Sequence, residues 1–212
     1  MKIISHRGYW KTPAEKNTLL AFERSFDLGF GTETDVRDYN GKLVISHDIP
    51  DTDAITLQEF FQCLGGRRLP IALNIKSDGL RDLVLEEIQR SDIKDAFVFD
   101  MSVPDQKAYL LQDVIKVFTR MSEQELKPAF YEESQGIWLD AFSSQWFGPD
   151  EIASILGHQK EVCLVSPELH GRPALTLWSR IKDHKITRSD NLILCTDTPE
   201  AAAQYFKEAL HD

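Results

Sequence analysis

Short apolar runs recur from one end of the chain to the other, and many of them are rich in β-branched residues. Runs of this length and composition are typical of buried β-strands. They predict eight strands, at residues 2–6, 31–37, 70–76, 96–101, 115–120, 136–141, 161–166 and 191–196.

Helical patterns alternate with these strands along the chain. Apolar residues three and four positions apart occur in residues 19–28, 80–88 and 201–210, and a further short helix is predicted at 56–64. Strands that alternate with helices pair in parallel through right-handed crossovers, which places the chain in the α/β class.

Eight strand–helix repeats favour closure into a compact (β/α)8 barrel, a TIM barrel, that forms a single domain over residues 1–212. An open doubly wound sheet is the alternative architecture. Such a sheet normally has a glycine-rich first turn, and the segment HRGYWK after the first predicted strand is not one.

Composition and charge disfavour several classes of function. The 212 residues carry a formal net charge of −10, which repels nucleic acid and anionic membranes at long range. No apolar run approaches the roughly 18 residues of a membrane-spanning helix, and the first residues lack the pattern of a signal peptide. We therefore expect a cytoplasmic protein with no integral membrane segment and no nucleic-acid partner.

The cysteines indicate packing rather than chemistry. Cys163 and Cys195 lie within apolar runs, where a thiol behaves as a small buried hydrophobe, and Cys63 lies far from both. An odd number of cysteines without close spacing argues against a disulfide framework and against a zinc site.

Polar side chains concentrate at the carboxyl ends of the predicted strands. In a parallel barrel these ends form the mouth at which catalytic residues gather. A single charge there is more often a structural ion pair, but a ring of them is typical of a polar active site. The residues concerned are His6, Arg7, Glu33, Asp35, Arg37, Asn74, Lys76, Asp100, Arg120, Asp140, Glu168, His170 and Asp197.

A hairpin is predicted after the second strand. The asparagine–glycine pair at 40–41 is a strong signal for a tight turn, and residues 42–46 have the pattern of a short returning strand. This strand would bring His47 back to the mouth, where it would face His6 across the carboxylates of the second strand.

Those carboxylates suit a hard divalent cation. Glu33 and Asp35 are two positions apart, so they share one face of their strand and offer oxygen ligands of the kind that Mg²⁺ or Ca²⁺ prefers. A Glu-x-Asp pair alone is a weak signal, because alternating acids often mark a solvated strand face. Enclosure of this strand in a barrel favours the metal site.

The remaining polar residues fit the cleavage of a phosphodiester. Negative charge grows on the phosphoryl oxygens during the reaction, and Arg7, Lys76 and a cation are suited to stabilise it. Because histidine titrates near neutral pH, His6 and His47 can divide the acid and base roles between them.

Four motifs occur in order within residues 3–48, namely ISHRGYW, EKNTLLAF, GFGTETDV and YNGKLVISHD. Their order and spacing resemble the N-terminal signature of the glycerophosphodiester phosphodiesterases, in the phosphatidylinositol-specific phospholipase C-like superfamily. Weaker similarity continues to LNIK after the third strand and CTDTP near the eighth.

This resemblance implies a (β/α)8 barrel that cleaves glycerophosphodiesters with a divalent metal and two histidines. By position, it assigns His6 and His47 as the acid–base pair, Glu33 and Asp35 as metal ligands, and Arg7 and Lys76 as phosphate contacts.

The chain departs from the family pattern at three places. Asn74 stands where the family has a glutamate, so either its neutral amide or Asp100 would complete the shell of Mg²⁺, Ca²⁺ or Mn²⁺. An insertion displaces Glu15 from its usual position in the second motif. The segment after His47 and Asp48 is short, which would leave the site open and weaken specificity for a glycerophosphodiester.

The string SPELHGR at 166–172 follows the seventh predicted strand. Its alternating polar residues are either an ordinary loop or a place where a substrate head group is recognised. On the second interpretation Glu168 and Arg172 contact the substrate.

The function expected from these observations is metal-dependent hydrolysis of a small, glycerophosphodiester-like phosphodiester. One alternative is a non-catalytic barrel that binds a phosphorylated ligand, which the neutral Asn74 favours and the two retained histidines disfavour. The other is a phospholipase C-type lyase that releases a cyclic phosphate.

Overall fold

Eight parallel strands close on themselves in the computed structural model, which describes residues 1–208. The predicted helical position Leu210 and His211 lie outside the described residues. Within residues 1–208 the strands are β1 (Lys2–His6), β2 (Gly31–Tyr39), β3 (Lys42–Ile45), β4 (Ile71–Ile75), β5 (Ala96–Phe99), β6 (Lys116–Met121), β7 (Gly136–Leu139), β8 (Glu161–Val165) and β9 (Leu192–Thr196).

The order of the strands around the barrel is β1-β9-β8-β7-β6-β5-β4-β2, and β1 closes the ring by pairing with β2. Strand β3 lies outside the ring, antiparallel to β2, as the asparagine–glycine turn predicts. The (β/α)8 barrel is therefore confirmed, and the open doubly wound sheet is wrong.

Helices cover the outside of the barrel. They are α1 (Leu19–Asp27), α2 (Leu57–Leu64), α3 (Arg81–Arg90), α4 (Val103–Tyr109), α5 (Pro149–Gly157), α6 (Leu175–Ile181) and α7 (Pro199–Glu208). Thr18 and Thr56 cap α1 and α2 with their side chains. In the part of the chain that the structure describes, no helix is long and apolar enough to cross a membrane.

The connection between β6 and β7 departs from the expected alternation, because residues 122–135 contain turns in place of a helix. Pro128 restricts the backbone before it and cannot donate to a helical carbonyl, and Phe130 has a left-handed φ of +55°. These two features interrupt any helix that the surrounding residues would form.

Two strand ends differ from prediction for identifiable reasons. β2 runs on to Tyr39 because residues 36–39 pair with β3. β5 stops at Phe99, short of the predicted end at 101, because Asp100 has a φ of +66° that no strand tolerates.

Aromatic and aliphatic side chains fill the barrel interior. The rings of Phe97 and Phe118 stack with centroids 3.8 Å apart, and those of Phe99 and Trp138 stack at 3.9 Å. Cys163 and Cys195 are fully buried in the same interior cluster, as predicted. Because this cluster occupies the interior, a substrate has access to the barrel only at its ends.

Candidate active site

Strand β2 carries the two carboxylates into the carboxyl mouth of the barrel. Glu33 is 2% exposed and Asp35 is 0% exposed. The strand register places Glu33 beside His6 of β1, and Asp35 beside Asn74 of β4. Four of the predicted site residues are therefore brought together by three adjacent strands.

Asp35 is surrounded by positive charge. Arg7 Nε lies 2.8 Å from Oδ2, an ion pair without hydrogen-bond geometry, and Lys76 Nζ lies 3.2 Å from Oδ1. Asn17 Nδ2 donates a hydrogen bond to Oδ2 at 2.9 Å. Burial by itself would raise the pKa of Asp35, but Arg7, Lys76 and Asn17 hold that pKa below its ordinary value.

Glu33 has the opposite environment. Its buried Oε2 has no hydrogen-bond partner, and the nearest basic nitrogen to it, His6 Nε2, is 4.0 Å away. Burial, reinforced by the charge of Asp35, raises the pKa of Glu33 to about 7. A cation bound at this carboxylate would favour its ionised form.

Oxygen atoms suitable for a hard cation are present here. Asn74 Oδ1 is buried without a hydrogen-bond partner, as are Glu33 Oε2 and Asp35 Oδ1 on the neighbouring strand. Among residues 1–208 no group of three His, Cys, Asp or Glu side chains is arranged to hold a metal ion, so a cation here would depend on the amide. These three oxygens, of which Asp35 Oδ1 also has the ammonium of Lys76 beside it, fit a divalent cation that prefers oxygen ligands.

His6 is oriented by a second carboxylate. Its Nδ1 lies 2.8 Å from Asp197 Oδ1, so its Nε2 is directed toward Glu33. The backbone N–H of Asp197 donates to Glu168 Oε1 at 3.2 Å, and Glu168 also accepts hydrogen bonds from the hydroxyls of Ser166 and Thr196. Glu168 thereby ties the ends of β8 and β9 together behind Asp197.

His47 reaches the same mouth but is held less firmly. Ser46 N donates to the backbone oxygen of Asp35 at 3.0 Å, which brings the chain just before His47 alongside β2. The positive charge of His47 contributes to the lowered pKa of Asp35, after the larger effects of its other neighbours. The partner of His47 is Asp48, at 2.9 Å, and the side chain of Asp48 is 93% exposed.

A second polar cluster lies across the mouth. Arg120 Nε donates to Asp100 Oδ1 at 2.7 Å and its Nη1 donates to Asp140 Oδ2 at 2.8 Å. Burial would lower the pKa of Arg120, but Asp100, Asp140 and Glu33 together raise it above its ordinary value. Of these three carboxylates, Glu33 contributes least to the raised pKa. Asp100, a candidate metal ligand, is paired with this arginine.

The string 166–172 folds against the end of β7. His170 Nε2 lies 2.7 Å from Asp140 Oδ1, and Arg172 Nη2 donates to the backbone oxygen of Ala141. The buried Nε of Arg172 has no hydrogen-bond partner.

Two residues of the site have no role assigned from the sequence: Asn17, and Asp197, which was predicted only as one of the polar residues at the strand ends. Asn17 lies in the second motif and has a φ of +59°, which turns its amide toward Asp35. Asp197 follows the last strand of the barrel. Because β9 adjoins β1 only after the ring closes, position at a strand end was the sole signal available for it.

The fold and the mouth define a (β/α)8 barrel with a polar site suited to phosphate chemistry. Solved structures with the same fold include a glycerophosphodiester phosphodiesterase from Agrobacterium tumefaciens, with a TM-score of 0.68, 18% identity and complete coverage of both chains. An Oleispira antarctica phosphodiesterase in complex with the product sn-glycerol-3-phosphate has a TM-score of 0.67 and 17% identity, over 100% of this chain and 97% of that one.

A glycerophosphoryl diester phosphodiesterase from Parabacteroides distasonis has a TM-score of 0.65 and 14% identity, over 98% of this chain and 86% of that one. No family model and no curated protein sequence matches the chain. At these identities the comparisons establish a shared fold, and the resemblance predicted from the N-terminal motifs is confirmed at that level.

Proposed function

We propose that this protein is a metal-dependent phosphodiesterase that hydrolyses a small phosphodiester of the glycerophosphodiester type. One observation carries the proposal. An imidazole oriented by a carboxylate, His6 with Asp197, lies beside buried acidic oxygens and two basic side chains at the mouth of a barrel. Binding of a phosphorylated ligand would need the basic side chains but not the oriented imidazole.

His6 supplies one of the two proton transfers. Asp197 holds its Nδ1, so Nε2 is the nitrogen that faces the mouth and can exchange a proton with an attacking or leaving oxygen. The family resemblance assigns the second proton transfer to His47, which follows the residue whose backbone N–H donates to Asp35 O.

Arg7 and Lys76 stabilise the negative charge of the phosphoryl group. Both side chains are 20% exposed while they contact Asp35, so each keeps N–H groups that a phosphate oxygen can reach. Asp35 therefore acts as the anchor that fixes both cations in position.

Glu33, Asp35 and Asn74 would hold the divalent cation, Mg²⁺ or Ca²⁺, through oxygens that accept no hydrogen bond in the structure. When bound, the cation supplies Lewis-acid stabilisation of the phosphoryl oxygens. Arg172 is a proposed contact for the substrate alcohol at the other side of the mouth, and Glu168 contributes by fixing Asp197.

The substrate class follows from the neighbouring structures. Those reported above are named as phosphodiesterases, and one of them contains sn-glycerol-3-phosphate as product. We therefore expect a small diester of glycerol 3-phosphate to be a substrate of this chain.

The test is turnover of p-nitrophenyl and alkyl esters of glycerol 3-phosphate with Mg²⁺, Ca²⁺ or Mn²⁺, and again after chelation with EDTA. We expect cation-dependent turnover that falls by about 10²–10⁴-fold in His6→Ala, because a positioned acid or base contributes that much. His184→Ala is a matched control, since this histidine lies far from the mouth, before the 3₁₀ turn Lys185–Arg188. No turnover with any cation, or full activity in His6→Ala, would refute the proposal.

Phosphorus NMR of the product distinguishes hydrolysis from release of a cyclic phosphate.

A further inference from the structure

The mouth of the barrel contains a second imidazole that is held by a buried carboxylate. His170 ends the 3₁₀ turn Pro167–His170 after β8, and its Nε2 contacts Asp140 at 2.7 Å. Asp140 is 2% exposed, and it also accepts hydrogen bonds from Arg120 and from the backbone N–H of Ala141, both at 2.8 Å. A carboxylate fixed in this way sets both the orientation and the tautomer of its histidine.

This pair is better ordered than the pair formed by His47. The side chain of Asp140 is 3% exposed and that of His170 is 24% exposed, whereas those of Asp48 and His47 are 93% and 45% exposed. Solvent-exposed ion pairs contribute little energy, so Asp48 does little to hold its imidazole in place. Among the histidines of residues 1–208, His6 and His170 are the two with largely buried carboxylate partners at the mouth.

The free nitrogen of His170 is available to a substrate. Within the described residues, Nδ1 makes no hydrogen bond, and the ring packs against Phe142 with the centroids 5.0 Å apart. Phe142 is 37% exposed, so this part of the mouth is open to solvent. Because Asp140 holds the proton on Nε2, Nδ1 has a proton to donate when the ring is an imidazolium.

His170 and His6 follow strands on the same side of the barrel. β9 alone separates β8 from β1, so the two histidines follow strands that lie two spacings, or about 10 Å, apart. Arg120, which shares Asp140 with His170, extends the cluster toward Glu33.

We propose that His170, oriented by Asp140, takes the role that the family resemblance assigns to His47 and donates the proton to the leaving alcohol, a catalytic role that rests on the phosphodiesterase function proposed above. His170 acts as an imidazolium, with one proton on Nε2 held by Asp140 and the other on Nδ1. His6 Nε2 takes a proton from the attacking water as its oxygen forms a bond to phosphorus. The bond from phosphorus to the alcohol oxygen breaks, and its electron pair stays on that oxygen. The proton on His170 Nδ1 moves to the same oxygen, which yields a neutral alcohol and a phosphomonoester. Exchange with solvent then removes the proton from His6 Nε2 and returns one to His170 Nδ1.

The experiment compares two esters of glycerol 3-phosphate that differ only in leaving group. A p-nitrophenyl group leaves readily without a proton, whereas an ethyl group needs one. In His170→Gln the new amide can still donate to Asp140 but cannot transfer a proton. We expect kcat/KM to fall by about 10²–10⁴-fold for the ethyl ester and by less than about tenfold for the p-nitrophenyl ester. His47→Gln, measured in parallel, should show no such dependence on the leaving group.

Equal losses on both esters in His170→Gln would indicate a structural role and overturn the inference, as would a leaving-group dependence found in His47→Gln instead. If far-UV circular dichroism shows that His170→Gln is unfolded, His170→Ala with added imidazole replaces it. Rescue confined to the ethyl ester supports the inference, and absence of rescue overturns it. A wild-type enzyme that cleaves neither ester refutes the phosphodiesterase function itself, whereas active wild type with an unaffected His170→Gln refutes this step alone.

Discussion

At the scale of single residues, the two carboxylates of β2 show how neighbouring side chains set the pKa of a buried acid. Asp35 and Glu33 are both buried, yet the pKa of Asp35 is lowered and that of Glu33 is raised. The difference arises because Arg7 and Lys76 contact Asp35 directly, whereas Glu33 has no hydrogen-bond partner at Oε2. Of the two carboxylates, Glu33 is therefore the one whose protonation should respond more to pH near neutrality and to a bound cation.

Replacing Glu33 by glutamine should change stability in a pH-dependent way. The pKa of Glu33 rises from 4.5 to about 7 on folding, so its stabilising protonation is complete below pH 4.5 and is lost as the pH rises through 7. Relative to wild type, Glu33→Gln should gain roughly 1–3 kcal/mol at pH 8 and nothing at pH 4.5. Urea unfolding at both values, in EDTA, measures this difference.

Glu86→Gln, at an exposed position on α3, is the control and should show no such change between the two pH values. Added Mg²⁺ or Ca²⁺ should raise the melting temperature of wild type at pH 8 more than that of Glu33→Gln. A Glu33→Gln protein that loses stability at pH 8 would contradict this account of the carboxylate.

At the scale of elements, the junction between β1 and α1 positions the first half of the site. Arg7 has a φ of +59° and Gly8 a φ of +81°, so the chain turns sharply after the strand. Arg7 N donates to Glu33 O, and Tyr9 N donates to Ala21 O, each at 2.9 Å. The turn brings the backbone of Gly8 against α1 and directs Arg7 back to Asp35.

Alanine at position 8 should therefore destabilise the fold and disturb the site. A Cβ on Gly8 would lie 2.7 Å from Ala21 Cβ and 2.9 Å from Ala21 C, in addition to the strain of a positive φ. We expect a loss of about 2–4 kcal/mol in chemical denaturation. Gly41→Ala is the matched control, because Gly41 has a φ of +75° and no neighbour within 4 Å of an added Cβ. Equal losses in the two variants would show that the contact with α1 is unimportant.

At the scale of the whole molecule, closure of the sheet connects two clusters of apolar side chains that lie between the barrel and its helices. One layer packs β2–β6 against α1–α4, and the other packs β1 and β6–β9 against α5–α7. The interior cluster, with Phe118 at its centre, contacts strands from both halves. We therefore expect the domain to unfold as one cooperative unit.

Phe118→Ala tests this expectation. Phe118 is 0% exposed and stacks on Phe97, so its truncation should cost about 3–5 kcal/mol. Far-UV circular dichroism and tryptophan fluorescence should move together in the variant as in wild type. Leu111→Ala, at a position that is 78% exposed, should change stability by less than about 0.5 kcal/mol. Two separate transitions in the variant would contradict a shared interior.

Most strands of the barrel were predictable from the sequence because each strand is specified by its own short segment of residues. Each buried strand is a short apolar run, so its position and approximate limits follow from side-chain hydrophobicity alone. That Glu33 and Asp35 point to the same side of β2 was also predictable, because residues two positions apart on a strand share a face. The absence of a helix between β6 and β7 was harder to predict from the sequence, because the φ of Phe130 depends on how residues 122–135 pack.

The sequence by itself determined the order of strands and helices, the end of the barrel that carries the polar residues, and the pair of acids on β2. Tertiary structure alone decided which of those polar residues touch. Asp197 meets His6 across 191 positions because the ring closes between β9 and β1, and Asp100 pairs with Arg120 because a left-handed φ ends β5 early. The spacing of residues along the chain specifies which face of a strand a side chain is on and which end of the barrel it lies at. Which side chains pair across the mouth depends on closure of the barrel and on the backbone conformation at the strand ends.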